Sequence, residues 1–119
     1  MKSVNLLAEA AKIQNLNEYH VIAKMNNYTF TLIKARDRKL DWHSHAGSDE
    51  VFFIVEGRMK IEFRDRLLEL KAGEMCVVPK GVEHRPVVES DVTAMLIEPE
   101  GTLTPDNTGG AYRPQPNDP

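Results

Sequence analysis

Turn signals recur every 7 to 10 residues or so through the middle of the chain, and they constrain the fold more than any other feature. Gly47-Ser48, Glu56-Gly57, Arg64-Asp65, Ala72-Gly73, Pro79-Lys80-Gly81 and Ser90-Asp91 separate short runs rich in Val, Ile, Phe and Met. Runs of that length hold a strand but not a packed helix. The expected strands are Glu18–Met25, Tyr28–Ala35, Leu40–His45, Glu50–Glu56, Met59–Phe63, Leu67–Leu70, Met75–Val78, Glu83–Val88 and Val92–Ile97. Asn26-Asn27 tolerates positive φ and should close a hairpin between the first two. Glu56-Gly57 reads as the turn of a second hairpin. Many short strands with no helices between them mean an all-β sandwich or barrel rather than βαβ units.

One helix is expected, over residues 5–13, where Leu, Ala, Glu and Lys favour a helix and Asn5 can cap its start. The chain therefore divides into an N-terminal helical segment (1–16), a β-barrel (17–100) and a tail (101–119). The tail holds four of the seven prolines and three of the seven glycines, which reads as extended or disordered chain.

Composition narrows the function classes. With 119 residues there is enough chain for one core. A net charge of −3 gives no electrostatic case for nucleic acid. The longest apolar run, Val51–Val55, is far short of the roughly 20 residues of a membrane-spanning helix. The single cysteine, Cys76, excludes an internal disulfide and a four-cysteine zinc site, and it fits the reducing cytoplasm. It sits in an apolar run and reads as a packing thiol.

Three of the four histidines lie in or beside the expected strands. His43-Ser44-His45 puts two imidazoles on one face of an extended chain, about 6.7 Å apart along it. Alone, that pair reads as two half-exposed strand-end residues rather than as a metal site. The next strand opens with Asp49-Glu50 before Val-Phe-Phe-Ile-Val. Alternation lets only one of the two acids face inward, where it needs a partner. His84 follows the turn at Pro79-Lys80-Gly81. Three imidazoles and one carboxylate suit a divalent transition metal. His20 is remote in sequence and reads as a surface residue.

This arrangement resembles the cupin superfamily. Its first motif, G(X)5HXH(X)3–4E(X)6G, is met by His43, His45, Glu50 and Gly57. Its second, G(X)5PXG(X)2H(X)3N, is met by Gly73, Pro79, Gly81 and His84, with 15 residues between Gly57 and Gly73. Asp37 replaces the opening glycine and Val88 the closing asparagine. The resemblance implies a cupin double-stranded β-helix, or jelly-roll barrel, with a short N-terminal helix. It also implies one divalent ion (Fe, Mn, Ni, Zn or Co) held by His43, His45, Glu50 and His84, with Asp49 turned outward.

The face of the central strand opposite Glu50 carries Val51, Phe53 and Val55, and is apolar too. A strand apolar on both sides is covered on both sides. The helix or, preferably, a second subunit is expected there, making a homodimer. The metal should sit in the barrel mouth among apolar side chains such as Phe52 and Met75 or Met95. Arg36, Lys80 and Arg85 are the rim cations that could hold an anion. With an open coordination sphere in an apolar cavity, the cupin resemblance implies a small-molecule metalloenzyme of the dioxygenase or isomerase type. The alternatives are a non-catalytic metal or metabolite sensor, and a metal-free cupin, against which the intact ligand set argues.

Overall fold

The computed structural model describes residues 1–114. Helix α1 spans Leu6–Ala11, capped as expected by the Asn5 side chain, which accepts from the Ala8 N–H at 2.9 Å. Nine strands follow: β1 (Tyr19–Met25), β2 (Tyr28–Ala35), β3 (Arg38–Lys39), β4 (Glu50–Phe63), β5 (Leu67–Lys71), β6 (Met75–Val78), β7 (His84–Val88), β8 (Val92–Pro99) and β9 (Tyr112–Arg113). They curl in the order β3-β7-β4-β8-β2-β1-β9, with β5 and β6 also paired to β4. The fold is an all-β jelly-roll half-barrel. Every pairing is antiparallel except β1 with β9. Among the described residues, no helix is long and apolar enough to cross a membrane.

The hairpin at Asn26-Asn27 forms, with Met25 opposite Tyr28 and Asn26 at φ 54°. The hairpin expected at Glu56-Gly57 does not. β4 is one 14-residue strand that passes from one sheet to the other. Its first half pairs with β6 and β8, and its second with β5 and β7. A register shift between Ile54 and Glu56 marks the hand-over. Gly57 sits just beyond it at φ 77°, and a Cβ there would lie 2.2 Å from the Asp91 carbonyl oxygen. The glycine is required by close approach to a neighbouring strand, not by a turn that reverses the chain. The bend shifts the alternation by one residue, so Glu50, Phe52 and Ile54 face inward before it and Met59 and Ile61 after it.

Leu40–His45 is not a strand either. Only His43 bridges to His84, and the regular pairing falls earlier, at Arg38–Lys39 with Val88 and Val87. The Asp41 carbonyl accepts from the His43 ring instead of a neighbouring strand, and the Trp42 ring lies against the guanidinium groups of Arg64 and Arg85. Asp37, where the cupin motif has glycine, holds a left-handed φ of 49°, a conformation Asp reaches more easily than most residues. Beyond β8 the chain makes turns and then adds β9 beside β1, with Leu103 and Tyr112 packed on the core. The last five residues of the expected tail, 115–119, lie outside the described residues.

The main core fills the barrel around Ile33, Phe52, Ile54, Met59, Ile61 and Leu96. A second, smaller cluster lies outside the sheet, where Ala10 and Ile13 pack on Leu32, Val55 and Met95. The N-terminal segment thus covers the Val55 end of the outer apolar face.

Candidate metal centre

Backbone pairing clips the site together. His43 and His84 exchange both main-chain hydrogen bonds, at 3.0 and 2.9 Å, and the His45 carbonyl accepts from the Gly81 N–H at 2.8 Å. Glu50 opens β4 opposite Val78, one residue before the Pro79 turn. Asp49 points the other way and accepts from the Lys80 N–H at 2.9 Å, pinning that turn. The outward acid therefore has a structural job, and the inward one faces the histidines.

The nitrogens of His43, His45 and His84 lie within 4.8 Å of one another. His84 Nε2 is 3.2 Å from Glu50 Oε1, and His45 Nε2 is 3.5 Å from the same oxygen. His43 Nδ1 donates to the Asp41 carbonyl at 2.8 Å and His84 Nδ1 to the Val82 carbonyl at 2.9 Å. A carbonyl can only accept, so Nδ1 carries the proton in both rings. In the neutral rings each Nε2 is left with a lone pair for an ion, and His84 Nε2 bonds to Glu50 only when it is protonated and donates. Fixing a ligand's tautomer through its other nitrogen is how histidine metal sites are oriented.

The electrostatics follow from burial. Burial lowers the His43 pKa, and the neighbouring His84 and His45 add to this against the Asp41 hydrogen bond, so the ring is held neutral. Burial is the largest influence on His84 and pulls it down, but the hydrogen bonds to Glu50 and Val82 and the charge of Glu50 together outweigh it, and the net shift is upward. Burial would raise Glu50, yet the His45 and His84 hydrogen bonds prevail and hold its carboxyl well below the usual range. A carboxylate and three imidazoles, two of them with Nδ1 fixed as donor, fit a divalent transition metal.

All four residues taken from the sequence converge. One that the sequence reading did not single out joins them. Glu98, near the end of β8, is 1% exposed, and among the described residues neither of its carboxylate oxygens has a hydrogen-bond donor. Its oxygen comes within 4.8 Å of ligand atoms on His45 and Glu50. Burial, then the proton it can donate to Glu50, and then the negative charge of Glu50 push its carboxyl up to about 10. The sequence signal was the inward register Ala94-Leu96-Glu98, an acid in line with two apolar core positions.

Beside the cluster opens a cavity of about 370 Å³, within the range of small-molecule sites. Its walls include Ile33, Phe52, Met59 and Leu96. Neither expected methionine lines it. Met75 is 54% exposed on the outside of β6, and Met95 packs outside the sheet towards the helix. Phe52 does line it, and Met59 takes the place expected of the other two. The expected rim cations are also elsewhere: Arg36 pairs with Asp91 and Arg85 with Glu62. Arg38 lines the cavity instead, its guanidinium carbon 5.5 Å from the centre of the Tyr19 ring. Among the described residues, Arg38 pairs with no carboxylate. His20 is apart from the cluster, bonded to Glu18 at 2.7 Å. Cys76 is half-buried against the core, as read from the sequence.

The cupin domain family (Cupin_2) matches residues 30–99. This chain is a cupin. It is 35% identical to the uncharacterized protein YdbB of Bacillus subtilis over 85 residues, which cover 71% of this cupin and 74% of YdbB. Among solved structures it resembles a cupin-2 domain protein from Shewanella frigidimarina, with 42% identity and a TM-score of 0.78, over 82% of this chain and 94% of that one. Protein NMB1881 from Neisseria meningitidis is 36% identical with a TM-score of 0.74, over 83% of this chain and 100% of that one.

Proposed function

We propose that this cupin is a small-molecule metalloenzyme of the oxidoreductase or isomerase kind. It would act on a compact, partly apolar substrate with an anionic end. The observation that carries the reading is a fixed histidine and carboxylate cluster set in the wall of an apolar cavity. His43, His45, Glu50 and His84 would hold one divalent ion. The ion would supply Lewis-acid or redox chemistry at open coordination positions. Glu50 offsets one of its two charges. The apolar walls exclude water, which strengthens electrostatic interactions within. Arg38 can take a substrate carboxylate through its planar fork of donors.

The test starts from chelator-stripped protein reloaded with Fe2+ or Mn2+. Small carboxylic acids are screened by thermal shift and then for turnover under air and under argon. At least one acid should stabilise only the metal-loaded form, and Arg38→Gln should lose that effect. Binding that survives metal removal, with no reaction in either atmosphere, would favour a metabolite-binding module.

The proposal includes a homodimer. α1 leaves the other end of the outer apolar face open, where half-buried Val51, Phe53 and Ile97 adjoin exposed Met75 and Val77. A self-complementary sheet face of this kind suits a second copy of the chain. A reducing cytoplasmic setting fits the free thiol of Cys76.

A further inference from the structure

We propose that Glu98 is a fifth protein ligand, so that the centre is built from three imidazoles and two carboxylates. The inference rests on the metal reading above and extends it.

A buried carboxylate without a donor is costly, and proteins place one only where a cation or a proton answers it. Glu98 has no donor among the described residues, and no lysine or arginine pairs with it. The ligand atoms near it belong to His45 and Glu50, within 4.8 Å. Two ligands of one ion, each bonded at about 2.0–2.2 Å, stand at most about 4.4 Å apart. A small side-chain adjustment therefore brings all three onto one ion. His45 belongs both to this group and to the three-histidine group, and Glu50 Oε1 also lies 3.2 Å from His84 Nε2, so one ion at their junction would draw on both.

Placement also favours a ligand over a substrate-binding group. Glu98 lines not the apolar cavity but a crevice that shares His45, Glu50 and Thr102 with it, walled by residues from Ser44 to Glu50 together with Pro99. It reaches the centre from the flank, leaving the cavity side open. Three nitrogens and two carboxylate oxygens on a divalent ion cancel its charge and exceed four-coordination. Such a set suits Mn2+ or Fe2+ better than tetrahedral zinc.

The experiment uses the full chain, stripped by chelator and titrated with Mn2+ and Zn2+ by calorimetry, then loaded with Co2+ for its visible spectrum. Wild type should bind one Mn2+ per chain. Glu98→Gln should weaken Mn2+ by at least about tenfold, weaken Zn2+ less, and intensify the Co2+ bands as the coordination number falls. Unchanged Mn2+ affinity, or weaker affinity with an unaltered Co2+ spectrum, overturns the ligand role. Should Glu98→Gln fail to fold by circular dichroism, Glu98→Asp keeps the charge at shorter reach. It should still alter the Co2+ spectrum, and an unaltered one overturns the proposal. Wild type that binds none of these ions is a different result, since it removes the metal reading itself.

Discussion

The two halves of β4 are built from the same kind of alternation and meet different surroundings. In Glu50–Val55 the inward residues are Glu50, Phe52 and Ile54, and the outward ones, Val51, Phe53 and Val55, are apolar as well. In Met59–Phe63 the inward residues are again apolar, but Lys60 and Glu62 point out. The first half carries the cluster carboxylate Glu50 on its inner face and an apolar outer face. The second half carries neither. One strand thus joins a chemical end of the barrel to a structural end, and Gly57 divides them.

The largest effect separates the two ends by chemistry. His45→Ala should lose stoichiometric metal, measured by elemental analysis of untagged protein. Ile61→Ala removes a fully buried side chain from the structural half and should cost about 2–5 kcal/mol of stability. The folded fraction should nonetheless keep its metal. Full metal retention in His45→Ala would remove the chemical half of the contrast.

The division itself can be attacked at Gly57. An alanine there would meet the Asp91 carbonyl oxygen 2.2 Å away and hold an unfavourable positive φ. Gly57→Ala should therefore lower stability by several kcal/mol, about the size of a core truncation, as read by urea unfolding. Near-wild-type stability would mean that the strand can cross between sheets without this close approach.

Next comes the outer face. Phe53→Lys places a charge on the open apolar patch and should shift sedimentation at micromolar concentration from a dimer towards the 13.5 kDa chain. Glu62→Lys, on the outward face of the second half, should leave assembly unchanged. A wild-type protein that already sediments as 13.5 kDa would end the dimer proposal.

A pH profile sharpens the chemical end. Glu98 has its carboxyl raised to about 10 by burial and by Glu50, above the ordinary 4.5. Its folded form thus holds a proton that the unfolded chain releases above about pH 4.5. Its contribution is fully favourable below that pH and is lost as pH rises towards 10. His84, also raised, acts in the same direction above its ordinary 6.5. Glu50, lowered, acts oppositely: its contribution is present above 4.5 and lost as pH falls below it. Metal-free protein should melt at progressively lower temperature from pH 5.5 to 8.5 or so, and Glu98→Gln should flatten that slope. An equally steep slope in the variant would show that another group sets it.

What the sequence made legible follows from how each feature is encoded. His43, His45, Glu50 and His84 stand in fixed spacing around short turns, and spacing survives in one dimension. The all-β class was legible from regular punctuation for the same reason, and the jelly roll from the cupin resemblance that the spacing carries. The continuity of β4 was not, because Gly57 looks the same in sequence whether it reverses the chain or admits a neighbour's carbonyl. Glu98 and Arg38 were missed because each is one charged residue beside ordinary strand positions. Only the pairing of β4 with β8, which sets Val51 opposite Ile97, brings Glu98 beside Glu50, and only the curl of the sheet brings β3 against the cavity. The exposure of Met75 depends on which side of β6 faces out, which a four-residue run does not fix.

The smallest effect belongs to the wet face of the second half. Arg85 makes two hydrogen bonds to Glu62 Oε2, at 3.1 and 2.9 Å, and Arg64 reaches Glu83 nearby. Trp42 lies beneath Arg64 and Arg85, with guanidinium carbons 3.9 and 4.7 Å from its ring centre. Arg85 directly follows His84 of the histidine cluster, so through this patch the structural face can affect the site. The Arg85–Glu62 pair is partly exposed and screened, worth about 0.2–1 kcal/mol in a double-mutant cycle. The stacking on Trp42 is of similar size, about 0.5–1 kcal/mol at an exposed site. Arg85→Ala should thus lower stability by no more than about 2 kcal/mol and leave metal affinity unchanged. His84 is held from the other side, by its own Nδ1 bond to Val82 and its backbone pairing with His43. A drop in metal affinity in Arg85→Ala would mean that the ligand geometry leans on the outer face, and that the two ends of β4 are less separate than their surroundings make them.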